Sequence, residues 1–299
     1  MFAVESVRCD LCGSDDMKPV PAYTRSAGLP APLQIVRCNR CGLVYLNPRP
    51  TLEAYRAMYE GGEFYENYQG RVSKFLPLFS KTYEVIERYK PGKGSLLELG
   101  CATGEFIQVG RERGWQVLGL DVSPSLAEIG KAQYGVEILV GSSIEEQAFP
   151  GGHFDVVYAS HVLEHLPSPA TALREIYRVL KPGGLVIVHV PNEFEDLLYL
   201  FFRWLATNRY RRSGAAVADH VFFFSPRTIA RMVEQAGFSP LELSTWRERN
   251  RRNLLDSRYP AGRPVKHALF ALGGLMGRGP NIEVIASKPP PIRAIERAA

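Results

Sequence analysis

Residues 96–104 read Leu-Leu-Glu-Leu-Gly-Cys-Ala-Thr-Gly, and Gly-Leu-Asp follows at 119–121. An apolar run ends in Glu98 and Gly100, turns at Gly104, and passes into a helical pattern from Glu105. The next apolar run, Val117 to Leu120, ends in Asp121. This is a strand, a glycine turn, a helix and a second strand tipped by an acid. Glycine lets a backbone approach a ligand closely, and the acid can accept both hydroxyl protons of a ribose. Spacing narrows the choice of nucleotide. A dinucleotide site wants G-x-G-x-x-G, which leads a pyrophosphate onto a helix N-terminus. Here the pattern is E-x-G-x-x-x-G, so a phosphate cradle is poorly supported. The competing readings are a dinucleotide site or a purely structural glycine turn.

Outward from this stretch, apolar runs at 95–99, 116–120, 136–140, 154–159 and 184–190 alternate with helical segments. That alternation implies an α/β fold with a parallel sheet and ligands at the strand C-termini. Runs at 240–245 and 281–287 read as a closing pair. The segment 51–90 looks helical, broken at Gly61-Gly62 and kinked at Pro77. It is rich in aromatics (Tyr55, Tyr59, Phe64, Tyr65, Tyr68), of which Tyr65 and Tyr68 are the candidate lid contacts and the others interdomain packing. From Lys288 the proline-rich tail reads as loose.

The E-x-G-x-x-x-G loop resembles the S-adenosylmethionine loop of class I methyltransferases, whose ligand has a ribose and an adenine but no phosphate. Further stretches extend the resemblance across about 93–287. They are Phe154–Ala159 with His161-Val162-Leu163-Glu164-His165-Leu166, and Arg178-Val179-Leu180-Lys181-Pro182-Gly183-Gly184. They continue with Asp219-His220, Phe224-Ser225-Pro226 and Ala236-Gly237-Phe238. The last group is similar to the ubiquinone-biosynthesis O-methyltransferase subgroup. The resemblance implies a Rossmann-like seven-stranded sheet closed by one antiparallel strand. It places Gly100 and Gly104 near the methionine end of the cofactor, with Glu98 steadying the loop and Cys101 as a small apolar filler beside it. Asp121 would hold the ribose, Val122 would border the adenine, and Ser160 and His161 would flank the sulfonium. Ser142 departs from the pattern, because relatives carry Asp there for the adenine amino group.

The sequence has 299 residues, 45% hydrophobic and 22% charged, with a formal charge of +5. These values are ordinary for a globular chain and do not demand a nucleic-acid partner. The N-terminus lacks a basic region followed by an apolar stretch, so a cytoplasmic location is expected, with no secretory signal. Four of five cysteines form two C-x-x-C pairs, Cys9/Cys12 and Cys38/Cys41, each followed by glycine. Four sulfurs satisfy a structural tetrahedral Zn²⁺ and leave no open position, so residues 1–48 read as a zinc ribbon, with a redox dithiol pair as the alternative. Residues 49–92 read as a connector or lid, 93–288 as the methyltransferase domain, and 289–299 as a flexible tail.

A sulfonium makes its methyl carbon electrophilic, so the protein must mainly align an acceptor. A hydroxyl acceptor also wants a general base, and histidine titrates near ~6.5. His161, His220 and His165 are the candidates; His189, inside a strand, reads rather as a satisfied buried histidine. Glu164 with His165 could instead bind a divalent ion. Residues 194–220 form a distinctive insertion. Phe194, Leu197, Leu198, Phe201, Phe202 and Leu205 share one helical face, and Arg209, Arg211 and Arg212 follow. A substrate lid is the simpler reading, and peripheral membrane contact through 194–212 the other. A second apolar piece, Val265 to Met276, would pack beside it. The expected activity is O-methylation of a small metabolite, a quinone or lipid, or a sugar-containing envelope precursor. Paired C-x-x-C units also begin zinc-ribbon sugar C-methyltransferases, which keeps a nucleotide-sugar acceptor as an alternative. A zinc-ribbon module binding nucleic acid or protein, with S-adenosylmethionine as structural ligand, is the reading from another class. Few clustered basic residues in the ribbon oppose it, and no Asn/Asp-Pro-Pro-aromatic motif follows the fourth strand.

Overall fold

The computed structural model describes residues 3–21, 23–24, 31–51, 53–54, 72–195, 220–246, 272, 276 and 278–290. Tyr65, Tyr68 and the insertion beyond Glu195 therefore lie outside the described residues, as does all of 265–276 except Leu272 and Met276.

Seven strands form the main sheet in the order β12-β13-β10-β9-β6-β7-β8. Their ranges are β6 Ser95–Leu99, β7 Gln116–Asp121, β8 Ile138–Val140, β9 Phe154–Ser160, β10 Leu180–Pro191, β12 Ser239–Trp246 and β13 Asn281–Ser287. Strand β13 runs antiparallel to both neighbours, and the other pairs from β10 to β8 are parallel. This is the mixed α/β sheet expected of a class I methyltransferase. The two-residue period of a strand sends alternate side chains to opposite faces. Leu97, Val157, Val186 and Val284 enter one core, and Leu96, Val156, Ile187 and Ile285 enter the other. Helices α1 (Val72–Tyr89) and α2 (Glu105–Glu112) cover the second face; α4 (Pro169–Val179) and α5 (Pro226–Gln235) cover the first. Between them α3 spans Pro124–Tyr134. Helices α3, α4 and α5 each open on Ser-Pro, where the serine oxygen takes a first-turn N–H and proline tolerates having none to give.

Two details depart from expectation. The Lys181-Pro182-Gly183-Gly184 turn is a bulge inside β10 rather than a segment preceding it, with pairing to β9 at Leu180 and again from Leu185. Lys288 closes that bulge: its N–H reaches the Gly184 carbonyl at 2.8 Å, and its carbonyl accepts from Gly183 at 2.8 Å. The chain at Lys288 is thus fixed to the sheet, not loose. Beside the bulge, Asp155 accepts from Lys181 at 2.6 Å and from the Ser95 N–H at 2.9 Å. Burial works against its charge, but Lys181 and Ser95 outweigh it and hold its pKa below the usual range.

The N-terminal region contributes β2 (Met17–Pro19), β3 (Ile35–Cys38) and β4 (Val44–Leu46) to a small antiparallel sheet. Its fourth strand, β11 (Phe222–Phe223), comes from far along the chain and pairs with β4 through Phe222 and Tyr45. A separate pair joins β1 (Val4–Glu5) to β5 (Arg49–Pro50). Asp10, between the first two cysteines, accepts from Ser168 Oγ at 2.7 Å and from the Ala170 N–H at 2.8 Å, capping α4. Cys9, Leu11, Cys38, Leu43 and Tyr45 share a continuous core with the main sheet.

Two stability outcomes are expected. Asp10→Ala removes a charged helix cap and should cost about 1–2 kcal/mol in denaturant unfolding. For Asp155 the depressed pKa means its contribution is complete above the unfolded-chain value of about 4 and is lost as pH falls below it. Asp155→Asn should therefore flatten the acid limb of the stability curve; a limb of unchanged slope would refute this.

Candidate active site

A cavity of about 480 Å³ opens at the C-terminal ends of β6, β7, β8 and β9. Gly100, Asp121, Val122, Ser142, His161 and His165 line it, whereas Glu98, Cys101, Gly104, Ser160 and His220 do not. Gly100 has φ of 64°, and a Cβ added there would come within 2.5 Å of the Val162 side chain. Its turn is therefore closed to larger residues. At the position where a second glycine would stand, Ala102 adopts φ of 49°. This left-handed conformation costs a non-glycine residue about 1 kcal/mol or more.

Asp121 holds that turn in place. Its Oδ2 accepts from the Ala102 N–H at 2.8 Å and its Oδ1 from the Ser123 N–H at 3.0 Å. Burial raises its pKa, against the pull of the Ser123, Ala102 and Val122 N–H groups. Asp121 thus steadies the loop directly, while Glu98 engages the Ile107 backbone in the first turn of α2. The Glu98 side chain is buried, and its Oε2 has no hydrogen-bond partner. Burial, then Glu105 and Asp121, push its pKa well above the usual value. A buried carboxyl with one oxygen left unpartnered, near an acid-tipped strand, fits a ligand with a cationic end and a ribose. Cys101 is inert by comparison. It is buried, its Sγ fills the space a Gly119 Cβ would take, and burial drives its thiol pKa upward.

The histidines assemble around a buried carboxylate. Glu164 is fully inaccessible, with His161 Nδ1 at 3.3 Å and His165 Nε2 at 3.9 Å from its Oε1. Burial alone would raise its pKa; His161, His165 and His220 overcome that and hold it at about 2. The His220 ring stands edge-on to His165 at 4.6 Å, and its Nδ1 lies 3.1 Å from buried Glu193. His161 sits at φ of 55°, with its N–H bonded to the His189 carbonyl at 2.9 Å. Functional positions are where such backbone strain tends to collect. Ligand atoms of Glu164, His165 and His220 lie within 4.8 Å of one another, so this group could hold a divalent ion. His189 is satisfied on both nitrogens, by Tyr158 Oη at 3.1 Å and Glu283 Oε2 at 2.7 Å.

The four ribbon cysteines also converge. Cys9 and Cys41 sulfurs are 3.4 Å apart, Cys12 and Cys38 3.5 Å, and all four lie within 4.8 Å. Four thiolates about 2.3 Å from a tetrahedral Zn²⁺ stand ~3.8 Å from one another, so the set fits one such ion.

These features coincide with sequence relationships. The profile of a family described as "Methyltransferase domain" matches residues 64–243, more than half of the chain. The chain belongs to that family. It carries an S-adenosylmethionine-dependent methyltransferase domain. Among curated relatives, the ubiquinone biosynthesis O-methyltransferase of Aeromonas salmonicida is 29% identical over 50% of this chain and 64% of its own length. The malonyl-[acyl-carrier protein] O-methyltransferase of Serratia marcescens is 33% identical over 32% and 38%. The demethylmenaquinone methyltransferase of Lactococcus lactis is 38% identical over 31% and 40%. The methyltransferase thus matches only 38–64% of the length of these relatives. A solved complex of the Haloferax volcanii Trm112 methyltransferase activator with a putative methyltransferase aligns with TM-score 0.53 at 18% identity, covering 74% of this chain and 95% of that one. Phosphoethanolamine N-methyltransferase 2 of Haemonchus contortus aligns with TM-score 0.52 at 18% identity, covering 83% and 63%. Both likenesses concern the fold.

Sequence reasoning missed Asp10, whose capping role depends on a helix 160 residues away, and Glu146, which lines the cavity beside Ser142. Asp121→Ala should weaken binding of S-adenosylhomocysteine about 10-fold or more in calorimetry, with far-UV dichroism unchanged. Equal affinity would overturn the ribose assignment.

Proposed function

We propose that this methyltransferase acts on a hydroxyl oxygen of a small-molecule acceptor, a quinone or lipid, a metabolite or a sugar-containing envelope precursor. The observation carrying this reading is the pairing of cavity-lining His161 with buried Glu164. Two of the relatives named above are O-methyltransferases by name.

S-adenosylmethionine, when bound, supplies an electrophilic methyl group. Asp121 would hold its ribose hydroxyls, with Gly100, Val122 and Ser142 bordering it in the cavity; Glu98, Cys101, Gly104 and Ser160, which the sequence resemblance also assigns to it, stand behind that lining. The chain's remaining task is to orient the acceptor and remove its proton. A carboxylate at Nδ1 selects the tautomer protonated there and leaves Nε2 with a free pair for an acceptor hydroxyl. Glu164 thus sets His161 as base, while His165 and His220 bound the acceptor side. The half-exposed His161 ring can reach a substrate that buried Glu164 cannot. His161→Ala should lower kcat by about 10²-fold or more and leave S-adenosylhomocysteine affinity unchanged. An unaltered kcat would remove His161 from the chemistry.

The ribbon cysteines hold a structural Zn²⁺ in this reading. Metal analysis of the native protein should find about one zinc per chain, and Cys38→Ser should lose it. Absence of zinc from the native protein would leave a redox dithiol pair.

The acceptor class is tested by radiolabel transfer from S-adenosylmethionine into a cell lysate split into organic, aqueous and macromolecular phases. Organic label supports a quinone or lipid acceptor and a lipid- or quinone-binding lid at 194–212. Aqueous label supports a sugar or other polar metabolite, with a carbon-bound methyl pointing to the nucleotide-sugar alternative. Label confined to macromolecules would overturn the small-molecule reading.

A further inference from the structure

One wall of the cavity is fastened from the ribbon. His165 to Ser168, in the loop from β9 to α4, line it together with Thr171 and Ala172 in the first turn of α4. Residues far away in sequence grip this stretch at three points. Arg49, held by Glu5 at 2.9 Å, donates to the Pro167 carbonyl at 2.6 Å. The Val221 and Phe222 N–H groups take the Glu164 carbonyl, just before the wall begins. The third grip is Asp10, which accepts from the Ser168 hydroxyl at 2.7 Å and from the Ala170 N–H at 2.8 Å.

Asp10 differs from the other two in where it stands. It lies between Cys9 and Cys12, in a turn whose Cys9 carbonyl accepts from the Cys12 N–H at 3.3 Å and the Gly13 N–H at 2.7 Å. Its neighbours Cys9 and Leu11 are buried in the same core as Ala172 and Leu173 of α4. The place of its carboxylate follows from the shape of that turn, and both sulfurs flanking it belong to the four-cysteine set. On the far side of the contact, Ser168 lines the cavity, and its hydroxyl also lies 2.8 Å from Thr171 Oγ1, on another lining residue. Two sites influence each other's affinity only through an element whose arrangement matters to both. The start of α4 meets that condition, with the ribbon on one side of it and the cavity on the other.

We infer that Asp10 is a positioning residue for cofactor binding, coupling the ribbon's metal site to the cavity wall at 168–172 so that zinc and an S-adenosyl ligand strengthen each other's binding. The inference rests on the zinc reading proposed above. It makes the ribbon a brace for the methyltransferase site. Linkage requires the coupling to be reciprocal, with the same factor in both directions.

Calorimetric titration of the full chain with S-adenosylhomocysteine measures one direction. Asp10→Ala, still carrying its zinc, should bind about 5-fold or more weakly than the native protein. Asp10→Asn, whose amide oxygen can still take the Ala170 N–H, should recover most of that loss. Asp15→Ala, at an exposed ribbon acid, should leave the affinity unchanged. Competition for zinc with a chromogenic chelator measures the other direction. Saturating S-adenosylhomocysteine should tighten zinc binding by the same factor in the native protein, and by less than about 2-fold in Asp10→Ala. A helix cap that only stabilised the fold would not make one ligand's affinity depend on the other. Native affinity in zinc-loaded Asp10→Ala, or equal tightening in both proteins, would overturn the inference and leave the zinc reading standing. A native protein without zinc would overturn both.

Discussion

The carbonyl oxygen of Glu164 accepts the N–H groups of both Val221 and Phe222, at 2.8 and 3.1 Å. Much of the molecule hangs on that junction. It fixes the start of β11, and β11 supplies the edge on which β4 and the cysteine-bearing sheet are built. The same residue's carboxylate gathers three histidines beneath the cavity. One peptide unit therefore ties the ribbon, the histidine cluster and the loop after β9 to a common position. Asp10 and Arg49 reinforce the tie from the ribbon side, at the start of α4 and at the Pro167 carbonyl, 2.6 Å away. Charge-assisted bonds to backbone groups are among the stronger ones available, which suits a joint between the small N-terminal sheet and the main domain.

The parts of this fold legible in sequence are those written locally. A strand, a glycine turn and a strand-terminal acid occupy 95–121 with no help from elsewhere, so β6, α2, β7 and Asp121 were readable, as were the paired C-x-x-C units. Joints made by distant residues were not. Strand β11 is two phenylalanines long, and no periodicity distinguishes it from ordinary core sequence. Asp10 looks like a solvated acid offsetting basic neighbours until α4 is placed against it. Ala102 and His161 add a lesson about backbone, because left-handed positions occupied by non-glycine residues give no signal in composition.

Buried polar groups divide this protein into two kinds of site. Tyr158, His189 and Glu283 form a chain across neighbouring strands in which His189 is bonded at both nitrogens, so that histidine serves the sheet. Burial works against the Glu283 charge, but His189 prevails and keeps its pKa low, as befits a closed network. Glu98 is the opposite case: one of its buried oxygens has no hydrogen-bond partner, a state it shares with Tyr83 Oη and Asn192 Oδ1.

Phe194 stacks on Tyr23 with ring centroids 4.0 Å apart and lies 5.0 Å from the ring of Phe223. The chain therefore leaves the ribbon at Phe194 and returns to it at β11, and residues 196–219 are spliced between two ends held together by the rest of the protein. Tyr23, Phe194 and Phe223 belong to one buried cluster, so both ends of that segment are held by the same packing rather than by two separate anchors.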